Sequence, residues 1–158
     1  MSRGTLDGDP LQVGPAAPPG GQRRRLTLAG LPKPVSRARA FTAAALGDWY
    51  PSLGGPGAGD GTAEDVILLA AELVANAMLH GDGPLEIVLE VTEARLRVEV
   101  SDRSEVMPAP RQPHNPALPG GHGLFIVERT ADRWGAEPHS QGKTIWAEVD
   151  NRRLLTGG

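Results

Sequence analysis

The most strongly apolar run of the chain starts at Val66 and ends at His80-Gly81. Val66, Ala70, Leu73 and Ala77 recur at helical spacing and make one apolar stripe. Beside it Leu68, Glu72, Asn76 and His80 stand four apart, so in a helix they share one ridge. Thr62-Ala63-Glu64-Asp65 has the form of a capping box, and Gly81 suits the left-handed conformation at which helices end. The pattern thus predicts a helix from Thr62 to Gly81. An earlier helix is framed by Pro34 and Gly47, with Val35, Ala38, Phe41, Ala45 and Trp49 on its apolar side. A third helix, Leu124–Asp132, opens after Gly120-Gly121-His122-Gly123.

Strands show a different period. Leu85, Ile87, Leu89 and Val91 alternate with Glu86, Val88 and Glu90, and Leu96, Val98 and Val100 alternate with Arg95, Arg97 and Glu99. Joined at Thr92-Glu93-Ala94, they predict an antiparallel hairpin with one face on helices and one in water. Lys143–Val149 alternates likewise, and Arg133–Pro138 prepares a strand before it. Leu26–Ala29 predicts a first strand, with Arg23-Arg24-Arg25 as its solvated edge or as a phosphate patch. The order is strand, helix, helix, two strands, long loop, helix, two strands. This order gives an α+β two-layer sandwich, with a mixed, mostly antiparallel sheet and helices on one face.

The remaining segments lack periodicity. Residues 1–22 are rich in Gly, Pro and Asp and are expected to form a disordered tail, followed by a domain over 23–150 and a frayed end over 151–158. Tyr50–Gly61 is expected to be a plain connection. Arg103–Gly120 is a Pro-rich stretch long enough to suggest a functional loop. Composition narrows the classes further. The 158 residues suit one domain, and the charge of -3 argues against non-specific binding to nucleic acid or anionic membranes. The absence of cysteine removes disulfides and cysteine-ligated zinc, and the scattered histidines have no metal spacing. No run has signal-peptide or membrane-spanning character, so a cytoplasmic location is expected.

Four places carry candidate chemistry. Glu72 and Asn76 put a general base and a hard, neutral Mg²⁺ ligand one turn apart in a core helix. An internal hydrogen-bond network would explain them equally well. Asp102, at a strand end, can accept from an exocyclic amine, or simply start a turn. The glycines around His122 let backbone N–H groups approach an anion at a helix N-terminus, or merely hinge the long loop. Gly142-Lys143-Thr144 enters the last strand, which an ordinary turn with a solvated lysine would also do.

Taken together, ELVANAMLHG, a hairpin ending in Asp102, GGHGLFIV and GKTIWAEV resemble the GHKL ATP-binding fold, which includes gyrase and histidine kinases. Within it the chain looks like the bacterial anti-sigma-factor serine/threonine kinases, over roughly Leu26 to Val149. The resemblance implies ATP and Mg²⁺ as cofactors. It implies Glu72 as catalytic base, Asn76 as Mg²⁺ ligand and Asp102 as reader of the adenine amine. Gly121, His122, Gly123 and Leu124 would hold phosphates where lid meets helix, and Thr144 would lie near the adenine. Arg103–Gly120 would be the lid. The implied partners are a sigma factor, an anti-sigma-factor antagonist protein, or both, with no direct nucleic acid and no membrane. A homodimer is the implied assembly.

Two departures stand out. The D-x-G-x-G of many relatives is absent, because Asp102 is followed by Arg103-Ser104-Glu105. The arginine that precedes the glycine pair in such kinases is replaced by Pro119 or Gly120. His122 is a poorer fixed cation. The resemblance therefore bears on nucleotide binding more directly than on phosphotransfer. Three readings follow: a protein kinase, a nucleotide-binding module that sequesters a regulator without phosphorylating it, and a structural domain without nucleotide. A histidine kinase reading lacks chain for a dimerisation helix pair.

Overall fold

A computed structural model describes residues 21–51, 62–108 and 121–156. The expected tail before Gly21, most of the Tyr50–Gly61 connection and the Ala109–Gly120 part of the expected lid lie outside the described residues. The elements run β1 (Gln22–Thr27), α1 (Pro34–Trp49), α2 (Thr62–His80), β2 (Pro84–Val91), β3 (Arg95–Asp102), α3 (Gly121–Thr130), β4 (Arg133–His139), β5 (Gly142–Asp150) and α4 (Asn151–Thr156).

The strands form a five-stranded sheet in the order β1-β2-β3-β5-β4. The α+β sandwich with a mostly antiparallel sheet is as expected, and every neighbouring pair in it is antiparallel. Helices α1 and α2 return the chain antiparallel to β1, whereas the crossover through α3 brings β4 in parallel to β3 and β5 fills the place between them, antiparallel to both. Hairpins join β2 to β3 and β4 to β5. Val91 faces Leu96, Leu89 faces Val98 and Ile87 faces Val100, which continues across β5 as Val149, Ala147 and Ile145. This row is the sheet's contribution to the core. From the helical layer it meets Ala38, Ala45 and Trp49 of α1 and Val66, Leu69, Ala70, Leu73 and Ala77 of α2.

Several boundaries differ from the sequence expectation. The first strand begins at Gln22, and its three arginines lie within it. Each pairs with a carboxylate: Arg23 with Glu90, Arg24 with Asp48 and Arg25 with Glu86. They are edge-strand charges rather than a phosphate patch. The first helix runs through Gly47, because Trp49 and the following Tyr50 still have core to fill. Gly81 is not the left-handed residue at the end of α2; Asp82 (φ 60°) and Gly83 (φ 97°) make that turn. The C-terminal segment expected to fray is helix α4 over Asn151–Thr156, anchored by fully buried Leu154. Asn151 accepts a hydrogen bond from the buried Tyr50 hydroxyl and donates to Thr92 O at 2.7 Å. That residue ties α1, the β2–β3 connection and α4 together.

Candidate functional site

The core face of the sheet ends on two charges. Side chains along a strand alternate between faces, so Asp102 shares a face with Leu96, Val98 and Val100. Its register partner on β5 is Lys143, which shares that face with Ile145, Ala147 and Val149. Both are buried, Asp102 at 0% and Lys143 at 2% exposure. Neither charge is tolerable there alone, and they meet at 3.0 Å, Lys143 Nζ on Asp102 Oδ1. The same oxygen accepts the Ser104 backbone N–H at 2.9 Å, and Lys143 Nζ also donates to Ser104 O at 3.4 Å. Asp102 Oδ2 has no hydrogen-bond partner among the described residues. A buried carboxylate oxygen without a donor costs free energy that the protein alone does not offset, which fits a ligand donor at that atom.

The end of α2 closes over this carboxylate. A Cβ on Gly81 would stand 2.5 Å from Asp102 Cγ and Oδ2, so only glycine lets the helix end come this near. The Arg103 backbone N–H donates to Gly81 O at 3.0 Å and fixes the approach. One turn earlier on α2, Asn76 is buried at 7% exposure. Its carboxamide has no hydrogen-bond partner among the described residues. One more turn back, Glu72 is half-buried and likewise unpartnered among them. The internal network that would have explained these polar groups is thus absent from the described residues. The ridge expected from the sequence exists, and it runs from half-buried Leu68 through Glu72 and Asn76 to exposed His80.

Helix α3 packs against α2 and begins at Gly121, so Gly121, His122, Gly123 and Leu124 form its first turn rather than a loop before it. The side chains of these four lie outside the described residues. First-turn N–H groups lack intrahelical acceptors and favour anions. An unpartnered buried acceptor, a largely buried carboxamide and a close-packed glycine are a set that fits a purine nucleotide with a hard cation.

Thr144 is elsewhere. By the same alternation its side chain is on the outward face of the sheet, where its hydroxyl and that of Ser101 share a hydrogen bond of 2.8 Å. That face is opposite the one that carries Asp102, so the geometry gives no support to the role beside the adenine implied for Thr144; the residue of that turn which faces Asp102 is Lys143. Sequence reasoning missed Lys143 by taking it as solvated, although its parity with Ile145, Ala147 and Val149 was the available signal. Ser104 acts through its backbone, which no residue-type pattern reveals.

The outward face is a separate, internally matched charge lattice. Glu148 Oε2 accepts from Arg95 Nε and Arg97 Nη1, each at 2.7 Å, and Oε1 from Arg133 Nε at 3.0 Å. Burial pushes the Glu148 carboxyl up, but hydrogen bonds from Arg95, Arg97 and Arg133 outweigh it and hold the pKa at about 2. Arg97 also lies over the Trp146 ring, 4.4 Å from its centroid. Among the described residues no cluster of three or more His, Asp or Glu is placed to hold a metal by itself. No described helix is long and apolar enough to cross a membrane.

No curated protein matches the chain in sequence. The family of histidine kinase-like ATPase domains matches residues 30–149. That span runs from the turn after β1 to the penultimate residue of β5, so it contains Glu72, Asn76, Asp102, Gly121, Gly123 and Lys143. The chain therefore belongs to the histidine kinase-like ATPase family and is an ATP-binding module of the GHKL type.

Proposed function

We propose that this module binds ATP with Mg²⁺ and serves as a regulatory protein kinase of the anti-sigma-factor type. Its protein substrate would be a small antagonist of an anti-sigma factor, and a sigma factor would be the regulated partner. The observation that carries nucleotide binding is the buried Asp102 Oδ2, which has no donor among the described residues, together with the largely buried Asn76 side chain. Asp102 would accept the purine amine. Asn76 would give one oxygen to Mg²⁺, which takes its other oxygens from phosphates and water and so needs no carboxylate cluster. The α3 N-terminus would receive phosphate oxygens.

For transfer, Glu72 would take the proton of a serine or threonine hydroxyl on the partner. The freed oxygen bonds to the terminal phosphorus as the bond to the bridging oxygen breaks, leaving ADP. Positioning and charge neutralisation supply most of the rate in such transfers. The half-buried, unpartnered state of Glu72 supports this role. The alternative, a nucleotide-binding module that sequesters its regulator without phosphorylating it, is favoured by Pro119 and Gly120 standing where the related kinases carry an arginine.

Two variants separate the readings. Asn76→Ala should lose Mg²⁺-dependent ATP affinity by about tenfold or more, measured by calorimetry with and without Mg²⁺. Glu72→Ala should keep ATP affinity and lose phosphate transfer to proteins captured from the source cell. Binding without transfer by the wild type selects the sequestering module. Undiminished transfer by Glu72→Ala overturns the assigned base.

A further inference from the structure

The Asp102–Lys143 pair leaves one hydrogen-bonding position free on each partner. An ammonium carries three protons. On Lys143 two of them are assigned, to Asp102 Oδ1 and Ser104 O, and among the described residues the third has no acceptor. Among the described residues Asp102 Oδ1 has two donors, Lys143 Nζ and Ser104 N, whereas Oδ2 has none. Saturating one oxygen from two directions locks the carboxylate's rotation and reserves the other oxygen for a ligand. The salt bridge thus leaves one acceptor and one donor unassigned on two buried side chains that meet at 3.0 Å.

We propose that Lys143 is a base-reading residue, which donates to the ring nitrogen beside the amine that Asp102 Oδ2 accepts. This inference rests on the nucleotide-binding reading of the site and extends it to a residue on the adjoining strand. An adenine edge offers the matching order, a donor at N6 and an acceptor at N1. Guanine in the same pose offers the reverse, an acceptor at O6 and a donor at N1, and would meet both protein groups with like polarity. A site built to hydrogen-bond an edge rejects the edge that leaves its buried groups unpaired. Lys143 makes that rejection two-sided, because Asp102 alone would oppose only O6. A hydroxyl in place of Lys143 could turn to donate or accept, whereas an ammonium can only donate.

The test is affinity for four nucleotides, measured by calorimetry in Mg²⁺ on the full chain: ATP, 1-deaza-ATP, purine riboside triphosphate and GTP. The wild type should bind 1-deaza-ATP about tenfold or more weakly than ATP, because N1 is then a C–H and the ammonium is left unpaired. Purine riboside triphosphate, which lacks the amine, should lose a similar factor through Asp102. In Lys143→Met the ATP to 1-deaza-ATP ratio should fall to near one, while the penalty for the missing amine persists. Equal wild-type affinity for ATP and 1-deaza-ATP would overturn the role of Lys143 and leave nucleotide binding intact. A ratio that survives in Lys143→Met would overturn it as well. No binding of any of the four would overturn the underlying reading instead. Should Lys143→Met fail to fold, the wild-type ATP and 1-deaza-ATP pair still decides.

Discussion

Asp102 shows how much a single position depends on residues distant in sequence. Its carboxylate is held by Lys143, 41 residues later, and roofed by Gly81, 21 residues earlier. Gly81 is needed for space and not for a left-handed backbone, which Asp82 and Gly83 provide. Gly81→Ala would place a methyl 2.5 Å from Asp102 Cγ, so either the helix end or the carboxylate must move. The expected cost is about 1–3 kcal/mol of stability, the range of overpacking in a filled interior. Urea unfolding measures it. On the proposed nucleotide-binding reading ATP affinity should fall as well, because displacing Asp102 moves its unpartnered Oδ2. Wild-type stability together with wild-type affinity would contradict the close approach. At this scale Glu72, Asn76 and Asp102 were readable in the sequence, because a polar residue in an apolar period is conspicuous. The correct face of Lys143 and Thr144 was not read, although the strand's own alternation determines it. The motif resemblance points to the Thr144 hydroxyl, and a shift of one residue moves a side chain to the opposite face.

Elements with strong periodicity came through well. Helix α2 and the strands β2, β3 and β5 follow the repeats of their apolar residues, because burial of one face dictates both the period and the pairing. What escaped is held by contacts and not by pattern: the start of β1, expected at Leu26, and the whole of α4. Strand β1 opens on Gln22 and three arginines, which form an edge strand only because Glu90, Asp48 and Glu86 are there to meet them. Helix α4 is too short and polar to show an amphipathic repeat, and an isolated helix of that length has no stability of its own. It is held by Asn151, bonded to Tyr50 and Thr92, and by Leu154, which is 0% exposed. Leu154→Ala should therefore cost about 2–4 kcal/mol, as for other fully buried leucines, where a frayed end would cost nothing measurable. Denaturant unfolding distinguishes these outcomes, and hydrogen exchange at the Leu154 amide should accelerate in the variant if the helix opens.

Over the whole molecule the two faces of the sheet divide the work. The helical face carries the core and ends at the buried Asp102–Lys143 pair, the proposed nucleotide site. The outward face is covered by paired charges centred on Glu148, and these make the fold's stability depend on acid. The Glu148 pKa is about 2 in the folded protein against an ordinary value of 4.5. Between those values the unfolded chain binds a proton at Glu148 that the folded chain refuses. Stability therefore rises with pH through this window. The contribution is fully present above pH 4.5 and is lost as pH falls towards 2. Glu148→Gln removes the charge that Arg95, Arg97 and Arg133 share, and should lower stability at neutral pH by about 2 kcal/mol. Its stability should also fall less steeply than that of the wild type between pH 4.5 and 2. The difference between the two proteins isolates Glu148 from the other carboxylates that titrate in the same range. At the alkaline end the sign is set by Tyr50, whose hydroxyl burial pushes above its ordinary value of 10.0. The folded chain then keeps a proton that the unfolded chain releases, so stability present below pH 10.0 declines above it. Tyr50→Phe should flatten that alkaline decline and leave the acid limb unchanged. Urea unfolding followed from pH 2 to pH 11 on wild type, Glu148→Gln and Tyr50→Phe tests both limbs. Parallel acid curves for wild type and Glu148→Gln would show that the arginine lattice does not hold Glu148 ionised.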